Sequence, residues 1–376
     1  MRIVFWGTYD LNRERYRILV QALKLNGIDF LECHEDVWAG IRDKSMLSSW
    51  QSKLRICVRY IQAYLKLILK YMSMPDHDAV LLGYLGHFDV LILWPFAKLR
   101  RKPIVWDALT SLYDEIITDR KYFPPTHPLA HVIFRIEWLI CHLADRIFLP
   151  SAARVKSFAI RYGLPKQRAR VVFLGVESTS FPPRKSISQD SIDSRATLSV
   201  LFYGSFIPLH GIETIINAAR LMITEDVNWT IIGSGQMAAM IHKMLREHPL
   251  PRLRWVEWVP YRELSTWIHN CDVALGIFGS SERAATSIPN KVFQILSCGV
   301  PLITRDSPAI REILDTSMSG VYLVEPDSPK ALVHAIRQFI SERNTLRDRS
   351  LHKNVCAAFN PGAIGKRISS LTGECL

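Results

Sequence analysis

Short apolar runs rich in Val, Ile, Leu and Phe alternate with longer segments of helical period along almost the whole chain, and the series is written twice. A strand buried on both faces reads as a near-continuous apolar run, and its parallel neighbour needs a crossover of a dozen or so residues. This alternation therefore predicts βαβ units and parallel sheets. The first series places strands near 2–7, 28–34, 79–84, 103–107, 146–150 and 169–174. The second restarts near 198–204 and continues near 228–233, 253–257, 272–277, 300–304 and 321–324. Between them, residues 181–196 (FPPRKSISQDSIDSRA) are rich in Ser, Pro and charge and have no apolar period, the composition of a linker. The expected fold is α/β, with two Rossmann-like parallel-sheet domains facing across a cleft. The first spans 1–180 and the second 197–358, with 181–196 between them and a final helix over 359–376 free to return to the first domain. A length of 376 residues suits two domains of roughly 150 residues each. A hydrophobic content of 48% against 22% charged residues is enough for two buried cores.

Several classes are excluded early. The seven cysteines are scattered, with no Cys-x-x-Cys pair and no Cys/His cluster, so reduced thiols, no metal site and a cytoplasmic setting are expected. The start MRIVFWG places a buried strand where a secretory signal needs a charged region and a longer apolar run. Asp89 and Lys98 interrupt the best candidate for a span of about 18 apolar residues. The net charge of +12 is uneven, +9 over residues 1–180 and +3 over 181–376, so the first half carries most of the attraction for anions. Nucleic acid is not the expected partner, because no recognised binding motif accompanies the charge. The absence of a full dinucleotide fingerprint likewise disfavours a dehydrogenase.

Three loops have the composition to meet phosphate. Gly7 and Thr8 follow the first strand and precede a helix carrying Arg13, Arg15 and Arg17, so they are candidates for an acceptor or phosphate loop, or simply a turn beside a solvated arginine face. In the second half, YGSFIPLHG brackets a turn with Gly204 and Gly211, while Ser205 and His210 supply donors within reach of a diphosphate. Gly233 and Gly235 repeat the arrangement one strand later and read first as tight-turn residues. The most informative stretch runs from Ser281 to Pro301, where Pro289 suits the first turn of a short helix and Gly299 its end. Lys291 and Gln294 share one face of that helix, beneath a polar loop with Glu282 and Arg283. Together with Asn290 they form a candidate clamp for a nucleotide diphosphate and a ribose hydroxyl.

The order and spacing of these segments resemble the GT-B glycosyltransferases of family 4, the retaining nucleotide-sugar transferases. The resemblance covers nearly the whole chain. It is carried by GSFIPLHG followed by IETIINAA, by WTIIGSG, by Ile288, Pro289, Asn290 and Lys291, and by LSCGVPLIT with SPAIREIL after it. In the first half it is supported by GYLGHFDV, by Asp107 with Ser111, Leu112, Tyr113 and Asp114, and by Asp119, Arg120 and Lys121. The resemblance implies a nucleotide-sugar in the second half, a glycan or lipid-linked acceptor in the first, and retention of configuration. It implies no cofactor and no metal, and it makes Asp107 and Arg120 the catalytic candidates. In this mechanism the departing diphosphate helps deprotonate the acceptor, so the protein supplies mainly electrostatic support. Three departures are evident. An Arg and a Lys commonly bracket the loop that here carries Ser205 and His210, and two glutamates seven residues apart commonly stand where Thr286 and Gln294 are found. Leu109 also takes the place of a frequent histidine. These departures keep open a second reading, a non-catalytic relative acting as a membrane-associated component of glycan assembly.

From 44 to 75 the chain has no acidic residue, and 54–72 reads LRICVRYIQAYLKLILKYM. At about 100° per residue, Arg55, Arg59, Lys66 and Lys70 fall within roughly 60° of one another on an otherwise apolar helix. Two expectations follow: a helix lying on the anionic inner face of the cell membrane, or a helix packed on its sheet with a solvated basic edge.

Overall fold

The computed structural model describes residues 1–11, 13–37, 50–84, 86–184, 197–346 and 351–374. Most of the expected linker (185–196) and residues 44–49 of the acid-free stretch lie outside the described residues. The chain forms two compact units. Unit 1 comprises Met1–Glu115, Phe123–Phe173 and Pro361–Leu376; unit 2 comprises Ile116–Tyr122 and Leu174–Asn360. The division thus differs from a contiguous one, since a short piece of the first half joins unit 2 and unit 2 starts before the linker.

Unit 1 holds β1 (Arg2–Gly7), β2 (Asp29–His34), β3 (Ala79–Leu82), β4 (Ile104–Asp107), β5 (Arg146–Leu149) and β6 (Ala169–Val171). They form one parallel sheet in the order β2-β1-β3-β4-β5-β6. Successive side chains of a strand point to opposite faces, so both faces must be covered. Val4, Trp6, Val80, Leu82, Ile104 and Trp106 face one cluster, shared with the helices Trp50–Met72, His87–Leu99, Pro128–Leu143 and Ala152–Tyr162. Ile3, Phe5, Leu81, Val105 and Phe148 face the other, shared with Glu14–Leu25 and Pro361–Gly373. The helix Pro361–Gly373 is thus an integral layer of unit 1. It inserts Ile364 and Ile368 against Ile18 and Ala22, each buried isoleucine contributing about 1.5–3 kcal/mol.

Unit 2 holds β7 (Leu198–Tyr203), β8 (Val227–Ile232), β9 (Leu253–Val256), β10 (Val273–Leu275), β11 (Leu302–Arg305) and β12 (Val321–Val324). This parallel sheet has the order β12-β11-β10-β7-β8-β9. Its core joins Val200, Phe202, Val273, Leu275 and Ile303 to the helices Ile212–Leu221, Ala238–Glu247 and Pro329–Glu342. All twelve strands expected from the sequence are present. In an open parallel sheet, ligands bind beyond the carboxyl ends of the strands where the strand order reverses. That point lies between β1 and β3 in unit 1 and between β7 and β10 in unit 2.

The close packing of the last helix is testable. A Cβ on Gly365 would collide with the Ala22 carbonyl and the Asn26 side chain. Gly365→Ala is expected to destabilise unit 1 by about 1–3 kcal/mol through overpacking, read as a lower urea midpoint with an unchanged m-value.

Candidate functional site

The two reversal points differ in what fills them. In unit 1, β1 ends at Gly7 with φ +134, and the space a Cβ would need is taken by the Asp89 carboxylate. The Thr8 backbone N–H donates to Asp89 Oδ2 at 3.1 Å, its hydroxyl to Oδ1 at 3.2 Å, and the Tyr64 hydroxyl to Oδ1 at 2.8 Å. Burial pushes the Asp89 carboxyl up to about 6, against the pull of these hydrogen bonds. A carboxylate of the chain itself occupies the place where an anion would meet this turn. Gly7 and Thr8 thus form a socket for the Asp89 carboxylate.

Asp107, at the end of β4, is also engaged. Arg15 Nε donates to its Oδ2 at 2.8 Å and Arg15 Nη2 to its Oδ1 at 2.7 Å, with both residues buried. Arg15 Nη1 also donates to the Phe173 carbonyl at 2.7 Å. A bidentate buried pair fixes the carboxylate as an anchor between β4, the first helix and the end of β6.

In unit 2 the reversal point gathers most of the candidate residues. Gly204 follows β7 with φ +138, and a Cβ there would lie 2.8 Å from Lys291 Nζ and 3.0 Å from His210 Cε1. Only a glycine lets this turn, His210 and Lys291 approach so closely. Gly233 and Gly235 serve the same loop from behind: a Cβ on the first would strike the Gly204 carbonyl, and one on the second would crowd the Phe206 backbone. Lys291 lies in the first turn of the helix Asn290–Ser297, for which Pro289 is the N-cap residue. Its ammonium is 4.0 Å from the centre of the Phe202 ring and 5.8 Å from that of Tyr203, buried and without a hydrogen-bond partner among the described residues. Burial holds its pKa well below the usual lysine range.

His210 Nδ1 pairs with the Ser205 carbonyl. Burial first, then the charges of Lys291 and Arg283, hold the imidazole well below its ordinary pKa, with the Ser205 contact opposing. At neutral pH the ring is therefore uncharged, with Nδ1–H donating to Ser205 and Nε2 left as the acceptor.

The remaining candidates are spoken for. Arg283 Nη1 donates to Asp119 Oδ2 at 3.1 Å and the Ser281 hydroxyl to Asp119 Oδ1 at 3.3 Å, so the segment Ile116–Tyr122 is tied to the loop after β10. Gln294 Oε1 accepts from the Tyr203 hydroxyl at 2.8 Å. Thr286, one of the substituted positions, turns its hydroxyl to the Glu282 carbonyl at 3.0 Å. Arg120 Nη1 donates to the Tyr122 hydroxyl at 3.3 Å. Glu282 is exposed at the rim of a cavity of about 600 Å³, lined also by Asp119, Lys121, Glu213, Ser281 and Asp327. The sequence reading did not single out Phe202, Tyr203 or Arg305, which register as ordinary strand residues; Arg305 props the loop by donating to the Gly279 carbonyl. The aromatic pair directly before Gly204 was the available signal.

Residues 197–342 match the family model described as Glycosyl transferases group 1. The chain is 23% identical over 319 residues to the "Putative colanic acid biosynthesis glycosyltransferase WcaL" of Salmonella typhimurium, covering 82% of this chain and 73% of that protein. Its structure is similar to the crystal structure of Anabaena HepE in complex with UDP and glucose, with a TM-score of 0.70, 13% identity and 100% of both chains covered. It is also similar to sucrose-phosphate synthase from Thermosynechococcus elongatus, with a TM-score of 0.73, 14% identity, and 100% of this chain and 98% of that one covered.

The anchoring role of Asp107 makes a prediction. Asp107→Ala leaves Arg15 buried without its counter-charge and is expected to cost unit 1 about 3–5 kcal/mol in denaturant unfolding.

Proposed function

From the premise that residues 197–342 are a group 1 glycosyltransferase domain, within a chain of GT-B fold, we propose that the protein transfers a sugar from a nucleotide-sugar to a glycan or lipid-linked acceptor in cell-surface polysaccharide or glycolipid assembly. The observation that carries this reading is the buried ammonium of Lys291 beside the Gly204 turn, a cation without an anion of its own among the described residues. A diphosphate is the anion that fits. The Gly204 turn admits close approach of its oxygens, Lys291 neutralises the charge, and the N-terminus of the helix Asn290–Ser297 adds favourable dipoles. Lys291 thereby takes over the work of the two bracketing cations absent at Ser205 and His210, while Arg283 remains with Asp119.

The chemistry then needs little from side chains beyond electrostatics. As the bond from the anomeric carbon to the diphosphate breaks, charge grows on the leaving oxygen, and a desolvated ammonium beside it favours that state over the bound donor. In a transfer with retention, the same oxygen accepts the proton of the incoming hydroxyl, and no metal or cofactor takes part in this scheme. Support for a polysaccharide product comes from the colanic acid role in the name of the Salmonella relative, and support for a uridine nucleotide from the ligand of the Anabaena protein.

Lys291→Met tests the reading because it separates ligand binding from folding. Removing an unpaired buried charge is expected to raise the melting temperature of the ligand-free protein, while the added stabilisation by UDP or GDP falls at least roughly tenfold in affinity. A variant that binds every tested nucleotide as the parent does sinks the proposal. Wild-type binding without turnover of any nucleotide-sugar points instead to the non-catalytic relative.

The depressed pKa of His210 adds a pH signature. An arriving diphosphate favours the imidazolium, so binding takes up a proton. Affinity rises as pH falls between the free and bound pKa values of the ring, by up to about tenfold per pH unit for one proton. Calorimetry in buffers of different ionisation enthalpy is expected to show this uptake, and His210→Asn to abolish it.

A further inference from the structure

The acid-free helix Trp50–Met72 has two apolar faces, and the fold uses one of them. Ala63, Leu67 and Tyr71, spaced four apart, are buried, and Leu67 and Tyr71 join the cluster under the sheet of unit 1. Leu54, Val58, Ile61, Leu65, Leu69 and Met72 form a second stripe, within roughly 80° of one another at 100° per residue, and all six are exposed. Leu69 is 73% exposed, Ile61 62% and Leu65 60%. Soluble surfaces scatter such residues singly; a continuous row marks a surface that meets something apolar.

The row does not stand alone. The helix His87–Leu99 packs against both Trp50–Met72 and Pro128–Leu143, and it exposes Phe88 and Leu99. Pro128–Leu143 exposes Leu129, Val132, Trp138 and Leu139. These three helices contain two acidic residues, Asp89 and Glu137, and both are buried. Arg55, Lys66, Lys70 and Arg135 are exposed among the apolar side chains. Lys66 has Glu35 at 3.9 Å in an exposed pair, and Arg59 leaves the expected basic stripe by donating inward to the Val37 carbonyl at 3.4 Å.

We propose that this three-helix face of unit 1 is a docking surface for an anionic lipid bilayer, on which the protein lies as a peripheral component. Charge chooses the occupant. A second copy of the chain is the natural competitor, since Leu54, Val58, Ile61, Leu65, Leu69 and Met72 follow a spacing of three and four residues, as in a helical pair. Two such helices would bring Arg55, Lys66 and Lys70 of each copy together with no acid on either helix and only the exposed Glu35 beside Lys66, whereas anionic headgroups neutralise all of them. The apolar stripe enters the boundary between headgroups and acyl chains, and Trp138 and Phe88 have the side chains favoured at that depth. No described helix is long and apolar enough to cross a membrane, so the contact is one of surface partition.

Flotation of the full chain with phosphatidylcholine vesicles, and with the same vesicles containing phosphatidylglycerol, tests this directly. Binding is expected only with phosphatidylglycerol and is expected to weaken in high salt. The double substitution Leu65→Asp and Leu69→Asp is expected to lower partition at least roughly tenfold, while stabilisation by UDP in unit 2 is unchanged. Lys66→Gln with Lys70→Gln, at exposed positions that folding tolerates, is expected to lower it several-fold on phosphatidylglycerol vesicles alone. Equal flotation on both vesicle types overturns the proposal, as does an unaltered aspartate variant. A wild-type dimer that these aspartates dissociate, with no flotation in either case, overturns it in favour of a second copy.

Discussion

A buried ammonium is tolerated only when something offsets its lost hydration, and Lys291 has an aromatic face and, among the described residues, no anion. Around that one group the second unit is arranged. Gly204 is a glycine because Lys291 and His210 press against its α-carbon, and Gly233 is one because the Gly204 carbonyl presses against it in turn. His210 is held neutral in part because Lys291 is charged beside it. Burial disfavours the charged form of Lys291, so an anion arriving at this turn would stabilise the ammonium that the protein alone does not.

The first unit solves the same problem in the opposite way. Its reversal point also has a glycine with positive φ at the end of the first strand, but Asp89 reaches into the turn and satisfies Thr8. Asp107 is paired with Arg15 and Glu137 accepts hydrogen bonds from Ser111, Tyr162 and two backbone N–H groups. Its polar interior is internally neutralised, whereas the second unit keeps a cation in want of a partner. The two reversal points therefore differ in kind, one filled by a carboxylate of the chain itself and the other holding a lysine with no anion among the described residues.

How much of this was legible in the chain follows from the range of the interactions. Periodicity is local, so all twelve strands could be read, and so could the short helix carrying Lys291 and Gln294. The partners of the charged residues are not local. Asp89 lies 81 residues from Thr8, Asp107 lies 92 from Arg15 and Asp119 lies 164 from Arg283. No spacing rule connects such pairs, so the partners of Thr8, Asp107 and Arg283 are not legible in the sequence. The helix Trp50–Met72 illustrates a second limit. Its amphipathic pattern was plain, but a helix apolar around most of its circumference does not reveal which side the sheet will take; the side that carries Leu67 and Tyr71 joins the core.

The helix Pro361–Gly373 has a further bearing on how the molecule comes into being. Gly362 accepts a hydrogen bond from Asn26 across 336 positions of sequence, and Ile364 and Ile368 complete the layer over β1. Domains usually fold in the order in which the ribosome delivers them. Here the half delivered first lacks one of its walls until the whole of the other half has emerged. The nascent chain must carry Ile18, Ala22 and their neighbours uncovered by that helix through the interval, so the unit translated first is the last to be finished.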